Sequence, residues 1–144
     1  MAHHAVARRL DLEALAPHLH WLIRAALAAI FLYHGIDKLA NGTPPQGPLD
    51  AMFFGSAAVF WLVAVGEVVA GVAVVLGGLG FARSELTTRV AGTIILIIML
   101  GAAQFHLAGA GGMGTHPWHF MRGGAEFQVL TAVLGLVALV RGKF

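Results

Sequence analysis

Four long apolar runs, separated by short stretches rich in glycine, proline or charge, organise this sequence. They cover residues 18–39, 57–80, 89–108 and 125–140. A helix rises about 1.5 Å per residue, so about 20 apolar residues cross a hydrocarbon layer of about 30 Å. The first three runs meet that length. The fourth is short for it and is expected to start in the interface or to thin the bilayer locally. The connections are residues 40–56, rich in glycine and proline, then 81–88 and 109–124. Short links between consecutive spans predict an all-α fold, a transmembrane four-helix bundle running up-down-up-down.

Composition narrows the class further. The 144 residues suffice for one domain, and 58% apolar against 11% charged residues excludes an ordinary soluble globule. The basic residues are scattered, with no stripe to follow a phosphate backbone, so nucleic acid is not an expected partner. There is no cysteine, which removes disulfides, iron–sulfur clusters and thiol chemistry by the chain itself. Residues 1–17 are polar and carry Arg8, Arg9, Asp11 and Glu13. The apolar run after them is longer than a signal core and lacks a small-residue cleavage site, so a retained first span is expected. His3 and His4 are too few for a tag and are read as solvent-facing. The expected organisation is a cytoplasmic segment, 1–17, followed by a membrane domain, 18–144.

Charge sets the expected orientation. Arg8, Arg9, Arg83, Arg89, Arg141 and Lys143 flank one side of the spans, and only Lys38 and Arg122 flank the other. The positive-inside rule then puts both termini and the 81–88 loop in the cytoplasm, within an inner membrane crossed several times. Aromatic residues agree, with Trp21 near the inner surface and Trp61 and Trp118 near the outer one.

Glu67 stands alone near the centre of the second run. A carboxylate there costs a few kcal/mol on insertion scales and needs a partner or a polar cavity. Ala64, Gly71 and Gly78 recur every seven residues on its stripe, so Glu67 is expected to face a neighbouring helix. The third and fourth runs carry small residues of their own, Gly92 and Gly135. On the first run Arg24, Phe31, Gly35 and Lys38 share a narrow stripe, with His34 on its flank. Arg24 is deeply placed on the inner side and has a bland alternative, snorkelling to the cytoplasm. Lys38 has one as an interface anchor, and His34 as a satisfied helix-packing histidine.

Most other polar groups gather in the outer half. They are His34, Asp37 and Lys38, then Glu67 near mid-membrane, Gln104 and His106, and Glu126 at the start of the fourth run. His116, His119 and Arg122 lie in the third connection. All four spans thus contribute to one outward region, with His34, Lys38, Glu67, His106 and Glu126 the candidate lining and Arg24 a candidate for charge balance.

These residues also resemble a family. Arg24 followed by a small-apolar run and His34-Gly35-Ile36-Asp37-Lys38 looks like the first helix of DoxX-type membrane proteins. Glu67-Val-Val-Ala-Gly71 with Leu76-Gly77 is similar to their second helix. His106 fits the polar end of the third, and Gly123-Gly124-Ala125-Glu126 the opening of the fourth. The resemblance covers nearly all of the chain after residue 17. It implies a four-helix inner-membrane bundle and a heterogeneous set of roles. Some relatives are subunits of a thiosulfate:quinone oxidoreductase. Others are linked to thiol redox balance, methylamine dehydrogenase maturation or metal-linked operons.

Three functions fit the sequence. One is a subunit of a redox complex that binds a quinone-like ligand. His34, His106 and Glu67 would supply hydrogen bonds and protons there, and Arg24 or Lys38 the balancing charge. The second is haem bound between His34 and His106, or copper or zinc at His116 and His119. The third is a structural or assembly subunit that contacts the lipid bilayer and other membrane proteins. Four short spans without a half-helix interruption argue against a transporter.

Overall fold

The computed structural model describes residues 16–47, 52–107 and 125–143. Segment 1–15 and the 108–124 connection, with His3, His4, Arg8, Arg9, His116, Trp118, His119 and Arg122, lie outside the described residues. Four helices make up the described chain, with no strand among those residues: α1 Leu19–Asn41, α2 Ala57–Leu76, α3 Ser84–Leu107 and α4 Glu126–Arg141. The first three are long and apolar enough to cross a membrane. At 16 residues, α4 is shorter than a full crossing requires.

Helix bounds follow local chemistry as well as hydropathy. Ser56 precedes α2 and accepts the Val59 N–H at 3.3 Å, satisfying one of the four unpaired donors at that end. Gly142 ends α4 in the left-handed region, φ 65°, and donates its N–H to the Ala138 carbonyl. The expected 81–88 connection is shorter than its polarity suggests, because α3 begins at Ser84 and not at Arg89. Its polar first turn is held by Thr88 Oγ1 donating to the Ser84 carbonyl at 3.0 Å and by Arg89 against Glu85 at 3.0 Å. Hydropathy marks the extent of hydrocarbon; capping and i,i+4 pairs carry the helix beyond it.

Each helix packs mainly on the next in sequence: α1 on α2, α2 on α3, and α3 on α4. The contacts run in opposite senses. Gly35 meets Ala64 and Val68 while Gly71 meets Leu32, so α1 and α2 are antiparallel. Gly92 and Gly135 face each other between α3 and α4, and a Cβ on Gly92 would stand 2.6 Å from the Gly135 carbonyl oxygen. These small residues let the backbones approach, which in lipid is the main source of helix association. The expected stripe on α2 is in place: Ala64, Glu67 and Gly71 are buried.

The core lies where α1, α2, α3 and α4 bring together Leu27, Phe31, Val74, Ile95, Met99 and Ala132. Around it, Leu22, Tyr33, Leu62, Val65, Ile97, Leu100, Leu130 and Val140 are exposed, an apolar exterior suited to lipid. Among the described residues, α1 and α4 make at most marginal contact, so the series of helices does not close tightly on itself. Just before α2, Phe53 and Phe54 both adopt left-handed backbone, φ 50° and 57°, which is costly for bulky residues. Phe53 is set edge-on against Phe60, with ring centroids 5.1 Å apart.

Candidate functional site

Glu67 finds its partner on α1. The Lys38 ammonium donates to both carboxylate oxygens, at 2.9 and 2.8 Å. Glu67 lies midway along α2, with its side chain 6% exposed, and that of Lys38 is 21% exposed. Lys38 is three residues from the end of α1 and turns inward to the carboxylate, so its reading as a simple interface anchor is corrected. The cause is energetic: a mid-membrane carboxylate without a counter-charge is expensive, and a flexible four-carbon stem can reach it. Gly35, one turn earlier, brings α1 against α2 closely enough for that reach.

The other expected residues sit around this pair at different distances. His34 is exposed on α1, edge-on to Tyr33 with ring centroids 5.3 Å apart. It remains within electrostatic range of Glu67. His106 is half-buried near the end of α3 and edge-on to Phe105. Glu126 opens α4, where its buried Oε2 and the Oε1 of Gln128 have no hydrogen-bond partner among the described residues. Two acceptors without donors at one helix start are unusual, since buried polar atoms are nearly always satisfied. Of the six candidates, the described hydrogen bonds join Lys38 and Glu67. Among the described residues, no three His, Asp or Glu side chains gather closely enough to hold a metal ion.

Arg24 stands apart. It is 14 residues before Lys38, about 21 Å along the helix, and belongs to the opposite end. It does not snorkel: the residue is 2% exposed. Its guanidinium donates to the Val74 carbonyl at 2.6 Å, to Thr88 Oγ1 at 3.2 Å and to His20 Nδ1 at 3.3 Å. Arg24 therefore ties α1 to the end of α2 and the start of α3. Close approach requires Gly78, where an added Cβ would stand 2.9 Å from the Arg24 side chain.

Around Arg24 lies a cleft of about 540 Å³, lined by His20, Arg24, Gly78, Ser84, Glu85 and Lys143 among others. Of these lining residues, only Arg24 was legible in the sequence as a candidate site residue. The Glu85/Arg89 spacing of four was a usable signal for the rest, because such pairs face each other on a helix. Arg89 also donates to the Leu139 and Val140 carbonyls at 2.8 and 2.9 Å, satisfying the negative end of α4.

No curated protein and no solved structure is significantly similar to this chain. The sequence signature of the DoxX family matches residues 19–108, which take in α1, α2 and α3 and so both the Lys38–Glu67 pair and the Arg24 contacts. With that match over more than half of its length, the chain belongs to the DoxX family of membrane proteins.

Proposed function

We propose that this protein is an inner-membrane subunit of a redox-linked membrane complex. In this reading it binds a quinone-like ligand in the outer half of the membrane, beside Lys38 and Glu67. The observation that carries the reading is the ion pair itself: a donor and an acceptor held together midway through an apolar layer. A quinone carbonyl needs a donor, and the hydroxyl of its reduced form needs an acceptor. Lys38 and Glu67 supply one of each. Intramembrane ionisable residues are retained chiefly where a ligand, an ion or a proton is handled. The Oε2 of Glu126 and the Oε1 of Gln128, without a partner among the described residues, add further acceptors. His34 and His106 would extend the same region with groups that exchange protons near neutral pH. The redox association of part of the family supports the class of chemistry.

The proposed topology has four crossings, up-down-up-down, with both termini cytoplasmic and the 40–56 and 109–124 connections outside. The cytoplasmic tail would be 1–17 and the membrane domain 18–144. Arg83, Arg141 and Lys143 at one end of the helices support it.

A second reading, a non-catalytic assembly subunit, draws support from the marginal contact between α1 and α4. An open helical series offers lateral faces to other membrane subunits. One experiment separates the two readings. The purified protein is examined by optical spectroscopy, and its organic extract by mass spectrometry. Quinone recovered from the wild type and lost in Glu67→Leu supports the ligand site; haem or metal would redirect it; an empty extract favours assembly.

A further inference from the structure

The cleft at the Arg24 end has the chemistry of an anion site, and we propose that it seats the phosphate headgroup of an anionic membrane lipid. This inference is independent of the ligand suggested beside Lys38; only the assignment to the inner leaflet rests on the topology proposed above.

Charge decides the sign of the ligand. Among the described residues the cleft is lined by two cations, the Arg24 guanidinium and the Lys143 ammonium, against one carboxylate, Glu85, while the His20 ring is neutral because its Nδ1 accepts from Arg24. Glu85 is already engaged, by Arg89 at 3.0 Å and Lys143 at 3.8 Å. A cation would meet net repulsion, and an anion net attraction. The hydroxyl of Ser84 adds a neutral donor for a phosphate oxygen, and Gly77, Gly78 and Gly80 leave the lining without bulky side chains. Preorganisation is built in, because the Arg24 side chain is fixed by the Val74 carbonyl and the Thr88 hydroxyl. Lys143, three-quarters exposed on a long stem, can reach a bound group from the rim.

Position decides the source. The cleft lies where α1 and α3 begin and α2 and α4 end, the level at which membrane-crossing helices meet headgroups. Phe81, which lines the cleft, and Leu76 and Leu79, next in sequence to lining glycines, are exposed apolar side chains. Acyl chains attached to the phosphate would lie along them. A free phosphate would use the basic groups and leave this apolar border unused. Basic pockets between membrane helices on the cytoplasmic side are a recognised setting for anionic headgroups.

The test uses the full-length protein in non-ionic detergent, titrated separately with phosphatidylglycerol, phosphatidylcholine and inorganic phosphate, with bound ligand counted by native mass spectrometry. One phosphatidylglycerol is expected to bind at least about fivefold more tightly than phosphatidylcholine. Lys143→Gln, at an exposed terminal position, should weaken phosphatidylglycerol about fivefold, the effect of one basic group at a membrane surface. Glu85→Gln should strengthen it, by releasing Lys143 and removing the opposing charge. Equal retention of the two lipids would overturn the proposal, as would indifference of phosphatidylglycerol to both variants. Inorganic phosphate binding as tightly as the lipid, with the same dependence on Lys143, would overturn the lipid assignment.

Discussion

Lys38 and Glu67 form a two-oxygen ion pair between the first two helices, at 2.9 and 2.8 Å, and they do not contribute to it equally. Glu67 is fixed midway along α2 on a short stem. Lys38 is near the end of α1 on a long one. The carboxylate is buried on a stem too short to carry it outward, whereas the ammonium can swing outward if released.

That asymmetry gives the first prediction. Lys38→Met, which strands the carboxylate, should destabilise the protein by about 3–5 kcal/mol, the usual cost of breaking a buried pair. Glu67→Leu should cost less, because Lys38 can snorkel. Glu67→Gln should keep the fold, since its amide oxygen still accepts from Lys38. The double variant Lys38→Met/Glu67→Leu should recover most of the loss. Thermal unfolding in detergent measures all four. Additive single effects, with no recovery in the double variant, would show that the two residues are not coupled.

The burial of Glu67 was legible in the sequence because helical period and small-residue spacing survive in a membrane helix unchanged. Ala64 and Gly71 mark the face that meets α1, and the carboxylate shares it. The Arg24–Gly35–Lys38 stripe was legible for the same reason, whereas the exposure of His34, expected among the groups lining a shared cavity, was not. Which group Glu67 bonds was not, since a long lysine stem hides where its charge ends up. Neither were the acceptors of Arg24, a carbonyl and a hydroxyl on two other helices, because hydropathy registers neither. The early start of α3 was obscured by Ser84, Glu85 and Thr88, whose polarity reads as loop while their hydrogen bonds make helix. Helix adjacency is beyond any one-dimensional pattern: nothing in the runs indicates that α1 and α4 barely touch.

The chain has no cysteine, so single introduced cysteines report topology without background. Gly47→Cys should react with a membrane-impermeant maleimide added outside intact cells. Arg83→Cys, in the turn between α2 and α3, should react only after the membrane is opened. The positive-inside distribution requires this pattern. The reverse pattern would put the Lys38–Glu67 pair nearer the cytoplasm and the Arg24 cleft outside.

Gly92 and Gly135 set the distance between α3 and α4. A side chain at Gly92 must displace backbone, because an added Cβ would stand 2.5 Å from the Leu139 amide and 2.6 Å from the Gly135 carbonyl; at Gly135 it would first meet the Ile95 side chain, at 2.7 Å. Gly92→Leu should lower stability by about 1–3 kcal/mol, as overpacking does, and leave the α1–α2 ion pair intact. Limited proteolysis between α3 and α4, faster in the variant than in the wild type, would register their separation. An unchanged rate and melting temperature would mean that the approach is not a packing requirement.

Arg24 joins three helices through fixed acceptors, so its role is geometric as well as electrostatic. Lysine keeps the charge but offers a point donor in place of a planar fork. It cannot reach the Val74 carbonyl, the Thr88 hydroxyl and His20 together. Arg24→Lys should therefore destabilise the protein by about 1–3 kcal/mol, the cost of acceptors left buried without donors. Arg24→Leu should cost more, since no donor remains for the Val74 carbonyl. Thr88→Val separates the contributions. It removes one acceptor, leaves the bond to Val74, and should cost no more than about 1–2 kcal/mol. Melting temperatures in the order wild type, Thr88→Val, Arg24→Lys, Arg24→Leu would establish the clamp. Arg24→Lys melting with the wild type would reduce Arg24 to a charge, with its hydrogen bonds incidental.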